Sequence, residues 1–255
     1  MEFDKNNKSE CIYETDGVCS PKTVLEAIGE RLSIDEYDPT QLIFKAKEQL
    51  GCDSESCVIT RTLDEPKEVL DKYFLPAGPR SSKELLDNFN IDDVLEMWKK
   101  QFDGFYHIFY QMIDFNECGT ELARIDLAEL KRDGYKSVGV VLNTDVSTGR
   151  GIHWFCIFCD LTVTPATVEY FNSSGNPPRP EVHAWLVKTK KMMPVKVIIV
   201  SNIEHQKDTE TECGPYALYF IWSRLNGISY KEFDKKRIKD SVMFAFRKTL
   251  FRKAA

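Results

Sequence analysis

No stretch of this 255-residue chain stays apolar long enough to cross a bilayer as a helix. The longest apolar runs, Val138–Leu142 and Val197–Val200, fall far short of the ~20 residues required. The opening segment, Met1-Glu-Phe-Asp-Lys-Asn-Asn-Lys-Ser-Glu10, lacks the apolar core of a secretory signal, so a chain made in the cytosol is expected. Positive charge is not in excess either. With 34 basic and 40 acidic side chains the net charge is −6, and the overall field does not hold such a chain on DNA or an anionic membrane. Internal repeats and low-complexity tracts are missing. Metal-binding patterns are scarce. The one C-x-x-C, Cys156-Ile-Phe-Cys159, lies in an apolar run that reads as a strand, where residues three apart face opposite ways. No second C-x-x-C or H-x-x-x-H completes a zinc site, so no metal or other cofactor is expected.

What is present suffices for a folded core. Hydrophobic residues make up 42% and aromatics 12%, which excludes wholesale disorder. The length fits one large domain or a core with a small accessory unit. Eight cysteines stand at 11, 19, 52, 57, 118, 156, 159 and 213. In a long chain without a signal, reduced thiols are the expectation, and each cysteine is then core filler or a nucleophile.

The first eighty residues read as helical. Ser20-Pro21 opens Lys22–Leu32, and a second helix runs from Pro39 to a stop at Gly51. A brief extended piece is expected at Val58–Thr60, then a charged helix over Pro66–Phe74. Leu75-Pro-Ala-Gly-Pro-Arg-Ser-Ser82 is the strongest break in the chain. Beyond it, Lys83–Phe102 is an amphipathic helical region. Ser137–Asn143, His153–Cys159 and Thr167–Phe171 read as strands in an antiparallel pair or meander. A helix is expected over Glu181–Lys191, a strand over Val195–Val200 and a polar loop over Ser201–Glu212. Helix fills most of the rest, broken at Asn226-Gly227. Strands in the middle and helices at the ends indicate an α+β fold.

Chemistry concentrates where the last polar loop ends, at Glu212-Cys213-Gly214-Pro215. Pro215 suits a first helical turn, and a thiol just ahead of it feels the positive end of the helix dipole, which favours thiolate. The plain alternative is a cysteine packed under a helix. Gly214 removes a side chain where a substrate backbone would approach.

A nucleophile needs a base, and four histidines compete. His107 lies in an aromatic segment and reads as a packing residue, and His183 sits in a helix facing solvent. His205, in the loop before Cys213, is a real rival. His153 is favoured because it opens an apolar strand and precedes Trp154, which can wall a groove. Its orienting partner is expected to be Asn172, at the end of the neighbouring strand, the alternative being an ordinary turn-starting Asn. Asp160 and Glu169 are rivals whose simpler job is solvating a strand. Gln206 can join the Cys213 N–H in stabilising an oxyanion; otherwise it is a solvated loop residue.

His153-Trp154 on a strand, Asn172 closing the next, then Gln206-x6-Cys213-Gly214-Pro215 resembles the clan of SUMO-specific and adenovirus-type cysteine proteases. Within it the likeness narrows to the polyprotein-processing proteases of African swine fever virus. It extends over Gly51–Ile59, Gly78-Pro-Arg80, Asn88–Asp92, Val141–Asp145, Glu169–Ser173, His205-Gln206, Thr211–Tyr216 and Leu250-Phe-Arg252. The resemblance implies Cys213 as nucleophile, His153 as base, Asn172 as its orienter and Gln206 as oxyanion donor. It implies a papain-like core over 84–255 and an N-terminal helical arm over 1–83. It further implies cleavage after the second glycine of Gly-Gly-Xaa sites in viral core-shell polyproteins during virion maturation. The setting would be the virus factories of the host cytoplasm and the virion core shell. Two departures stand out: SUMO proteases carry Asp where Asn172 stands, and Trp near Leu85, which with Trp154 and Gly214 would line the glycine channel. Two other readings stay open. One is removal of SUMO or ubiquitin-like modifiers. The other is a non-enzymatic core protein touching nucleic acid through Lys231–Lys253, whose nine basic and three acidic residues give +6.

Overall fold

The computed structural model describes Phe3 and residues 9–81, 83–200, 203–207 and 211–253. Most of the opening segment, Ser82 of the break, and residues 201, 202 and 208–210 of the expected polar loop lie outside the described residues. Two compact units emerge. Residues 9–80 with 247–253 form one, and Phe3 with 81–246 the other.

In the first unit four helices enclose a core: α1 (Lys22–Leu32), α2 (Pro39–Leu50), α3 (Glu55–Thr62) and α4 (Pro66–Tyr73). The side chain of Asp38 accepts the Gln41 N–H at the head of α2, and that of Ser54 accepts the Cys57 N–H at the head of α3. The expected extended piece at Val58–Thr60 is therefore part of a helix. Its β-branched residues favour strand only weakly, and complete burial of Val58 and Ile59 against α1 and α2 decides the outcome. The expectation of reduced thiols throughout is also corrected. Cys11–Cys19 and Cys52–Cys57 are disulfide-bonded, with Cα atoms 4.9 and 5.6 Å apart, inside the range a bridge spans. The turn at 15–18 folds Cys11 back toward Cys19, whose N–H, like that of Ser20, donates to the buried Glu55 carboxylate at 2.9 Å. The C-terminal residues 247–253, grouped by sequence with the core, cluster here instead. Arg252 N–H donates to the Pro76 carbonyl at 3.0 Å, and the Phe251 ring fills the space that a Cβ on Gly78 would need.

The second unit opens with α5 (Asn88–Gln101), whose head is a capping box between Asp87 and Asn90. Short strands β1 (Phe105–His107) and β2 (Gln111–Met112) follow, then three short helices, α6 (Phe115–Cys118), α7 (Glu121–Arg124) and α8 (Leu127–Arg132). The centre is the expected meander of β3 (Ser137–Asn143), β4 (Trp154–Asp160) and β5 (Ala166–Phe171). After α9 (Pro180–Met192), β6 (Val195–Ile199) pairs parallel to β5, giving the order β1-β3-β4-β5-β6 with β2 also on β3. All seven residues of β3 and all six of β5 are buried, as expected of strands covered on both faces. The last helices are α10 (Cys213–Leu225), α11 (Tyr230–Phe233) and α12 (Asp240–Leu250), and the unit boundary falls within α12.

α10 lies across β4 and β3. Glu169 does not solvate its strand, contrary to the sequence reading. It is fully buried, and Arg224 of α10 donates to it at 2.7 Å and to Asp160 at 3.3 Å. Burial pushes the Glu169 carboxyl up, and the guanidinium works against that shift. This ion pair fastens the C-terminal end of α10, the helix that begins at Cys213, to the sheet. The fold is α+β, as the order of elements suggested.

Candidate active site

Cys213 is the first residue of α10 and only 3% exposed. Burial pushes its thiol up, against the backbone N–H groups of Trp154, Gly214 and Cys213 itself, which favour the thiolate. The Trp154 N–H is among the groups that favour a thiolate there. Cys213 and Trp154, the first residue of β4 and the one after His153, line the same groove.

His153 is half-buried just ahead of β4, and its carbonyl accepts the Thr144 N–H at 2.9 Å. Its Nε2 lies 2.8 Å from Asn172 Oδ1. The identity of that amide atom follows from its other partners. The Ser174 N–H at 3.0 Å and the Ser174 hydroxyl at 2.8 Å both point at it, and an N–H can only donate. The opposite end, Nδ2, donates to the Tyr170 hydroxyl at 3.2 Å. Asn172 is thus held as an acceptor toward His153, whose proton must reside on Nε2. Nδ1 then carries the lone pair, the state a base requires. Burial pulls the His153 pKa down, and the Asn172 bond only partly offsets this. Burial thus disfavours the charged form of both the Cys213 thiol and the His153 imidazole.

The next residue along, Ser173, ties in the fourth expected member. Its hydroxyl donates to Gln206 Oε1 at 3.0 Å, and its carbonyl accepts the His205 and Gln206 N–H groups at 2.8 and 3.1 Å. That bond fixes Oε1 as the accepting end of the Gln206 carboxamide. Asn172 and Ser173 therefore hold the His153 and Gln206 side chains from consecutive places at the end of β5.

His205, the rival base, is fully buried. Its Nδ1 accepts the Ile238 N–H at 3.0 Å, and its ring packs among Phe171, Tyr216 and Phe233. Burial, with Arg237 nearby, pulls its pKa down to about 4. It pins the chain around the site and has no access to substrate. His107 is buried between Asp92 and Glu96, and His183 is exposed on α9, as expected.

A groove of about 290 Å³ leads to Cys213, with Leu85, Tyr110, Arg150, Ile152 and Trp154 among its walls. The Trp154 indole N–H donates to the Leu86 carbonyl at 3.0 Å, and Tyr110 meets its ring edge-on. Leu85 is 64% exposed in this groove, where it offers an aliphatic surface. Gly214 makes a contact different from the one its sequence position suggested. It is buried, and a Cβ there would lie 3.2 Å from Leu86 and 3.4 Å from Ile91. It lets α10 approach α5 closely instead of opening the groove.

Sequence reading missed the supporting residues Tyr170, Ser173 and Ser174, and also Asn143 and Asp145, whose side chains accept backbone N–H groups of the loop between β3 and β4. The Asn172-Ser173-Ser174 run is a turn-forming pattern in which serines bond back to a preceding Asn, and that was the available signal.

No protein-family model matches the chain. It is 41% identical over 234 residues to the cysteine protease S273R of African swine fever virus from a Malawi tick isolate, covering 81% of this chain and 85% of that one. It is 40% identical, with the same coverage, to the SUMO-1 cysteine protease S273R from a Kenyan pig isolate. The fold superposes on a crystal structure of the African swine fever virus pS273R protease with a TM-score of 0.83, at 33% identity and 97% coverage of both chains.

Proposed function

Belonging to the family of African swine fever virus S273R cysteine proteases, this chain is a cysteine protease, and we propose that it works through Cys213, His153, Asn172 and Gln206 on Gly-Gly-Xaa sites of viral polyproteins. The observation that carries the residue assignment is the hydrogen-bonded His153–Asn172 pair, with its proton on Nε2, one residue from Trp154, which shares a groove with Cys213.

The thiol proton passes to Nδ1 of His153 as the sulfur attacks the glycyl carbonyl. The developing oxyanion is met by the Cys213 N–H and the Gln206 carboxamide, a pair in which losing one donor costs ~100- to 1,000-fold in rate. His153 then gives its proton to the departing amine, leaving a thioester on Cys213. A water molecule, deprotonated by His153, attacks that thioester, and the thiol is regenerated with release of the carboxylate. Asn172 orients the imidazole without adding a charge to stabilise imidazolium. Glycine selectivity has a steric source in a narrow groove beside the indole of Trp154, with Leu85 on its wall.

Polyprotein processing in the host cytoplasm and the virion core shell fits this chemistry. Removal of SUMO-like modifiers is the second reading, suggested by the name that some relatives carry. Incubation with a polyprotein Gly-Gly-Xaa junction and, separately, a SUMO conjugate distinguishes them. Cleavage of the junction, lost in Cys213→Ala, is expected; cleavage of the conjugate alone would favour deconjugation. Nucleic-acid contact through Lys231–Lys253 has less support, because Arg237 pairs with Asp240 and Lys253 with Asp53.

A further inference from the structure

Between β3 and β4 the chain makes a loop, residues 144–152, whose tip carries Arg150 into the groove that holds Cys213. This loop is built, not draped. Buried Asn143 accepts the Asp145 and Ile152 N–H groups on its Oδ1 at 3.0 and 2.9 Å. Asp145 accepts the Val146 N–H at 2.9 Å and the Gly151 N–H at 3.0 Å. Asp114, just ahead of α6, accepts the Ser147 N–H at 3.0 Å and its hydroxyl at 2.7 Å. Arg179 closes the base by donating to the Thr144 carbonyl at 3.0 Å. The glycines flanking Arg150 are required by this geometry. A Cβ on Gly149 would collide with the Asp145 carboxylate, and Gly151 has φ +88°, in the left-handed region.

So many fixed bonds around one exposed guanidinium imply a purpose for its position. Among the described residues Arg150 makes no ion pair, and it shares the groove with two apolar side chains, Ile152 at 74% and Leu85 at 64% exposure. The groove's acidic side chain, Asp87, is already engaged in capping α5. A guanidinium presents a planar fork matched to carboxylate. We propose that Arg150 is a specificity-determining residue that selects an acidic side chain in the substrate beside the scissile Gly-Gly bond. Arg150 lies three residues from His153, a span of at most ~10 Å, so the acidic side chain falls within about five residues of the bond in an extended substrate. The inference rests on the protease site proposed above.

The test is a positional scan with fluorogenic peptides carrying Gly-Gly-Xaa, in which each flanking position holds Glu, Gln or Lys in turn. At one position kcat/KM is expected to favour Glu over Lys by roughly 5- to 20-fold at low salt, and the preference should shrink as salt is added. Arg150→Glu is expected to invert the order at that position alone, an effect that mere loss of loop structure cannot produce. Arg150→Lys should keep the sign with a smaller ratio. Cleavage with no charge preference at any position, or a preference that survives Arg150→Glu, would overturn this inference and leave the proposed reaction standing. Absence of any Gly-Gly cleavage by the native protein would overturn the proposed reaction and this inference with it.

Discussion

Asn172→Asp is the substitution that probes the site most closely, because it changes charge while keeping shape. The Ser174 N–H and hydroxyl that hold Oδ1 can bond a carboxylate equally well, and the Tyr170 hydroxyl can turn to donate to the second oxygen. The imidazolium of His153 then gains an opposite charge within hydrogen-bond distance. At ~4 Å and an effective permittivity of ~20 such a pair is worth about 4 kcal/mol, or about 3 pKa units, and neighbouring charges commonly move a pKa by about 1–3. Asn172 is 3% exposed, and desolvating the new carboxylate favours the low end of that range. Each unit multiplies the ratio of thiolate–imidazolium to neutral pair tenfold. The assay is the rate of Cys213 alkylation by iodoacetamide at pH 7, followed on the peptide carrying Cys213 so that exposed Cys118 does not contribute. The native protein should alkylate slowly, with the rate rising toward alkaline pH; the variant should alkylate at least about tenfold faster at pH 7. Its activity should also lose its acid limb at higher pH. In the native protein that limb lies below 6.5, because burial pulls His153 down. Alkylation unchanged or slowed in a folded Asn172→Asp would refute the coupling of Asn172 through His153 to the thiol.

Other perturbations have defined outcomes. His205, held neutral with a pKa near 4, is protonated in the unfolded chain below 6.5, so its contribution is full above that value and lost as pH falls. Urea unfolding should show a loss of ~3 kcal/mol by pH 4 that His205→Gln removes, and an unaltered pH dependence would contradict the assignment. Arg224→Ala strands a buried carboxylate at Glu169 and should cost ~3–5 kcal/mol, while Arg224→Ala with Glu169→Gln should recover part of it. Replacing Cys11 and Cys19 by Ser should lower the stability of the first unit by ~2–3 kcal/mol, seen by denaturant unfolding of the oxidised protein.

The placement of the proposed site residues was largely readable because their signals are local. Pro215 behind Cys213 marks a helix start, and the β4–β5 register, with Cys156 opposite Phe171, brings His153 and Asn172 to one end of the sheet. What escaped depends on contacts between distant parts of the chain. The disulfide at Cys11–Cys19 needs the turn at 15–18, and nothing in the spacing announces it. Val58-Ile59-Thr60 has strand chemistry and helical structure, since burial in the first unit outweighs a few tenths of a kcal/mol of propensity. Glu169 reads as a solvated strand residue because its partner, Arg224, lies 55 residues away. Gly214 reads as a clearing for substrate, yet the space it leaves is taken by Leu86 and Ile91 of the same unit.

Mass spectrometry of the intact protein, quenched while it turns over a Gly-Gly-Xaa peptide ester, tests the covalent step at its centre. A mass increment equal to the acyl portion, mapped to Cys213 and missing in Cys213→Ala, is the expected result. Steady cleavage with Cys213 unmodified, or with the acyl group mapped to another residue, would contradict nucleophilic catalysis at the head of α10.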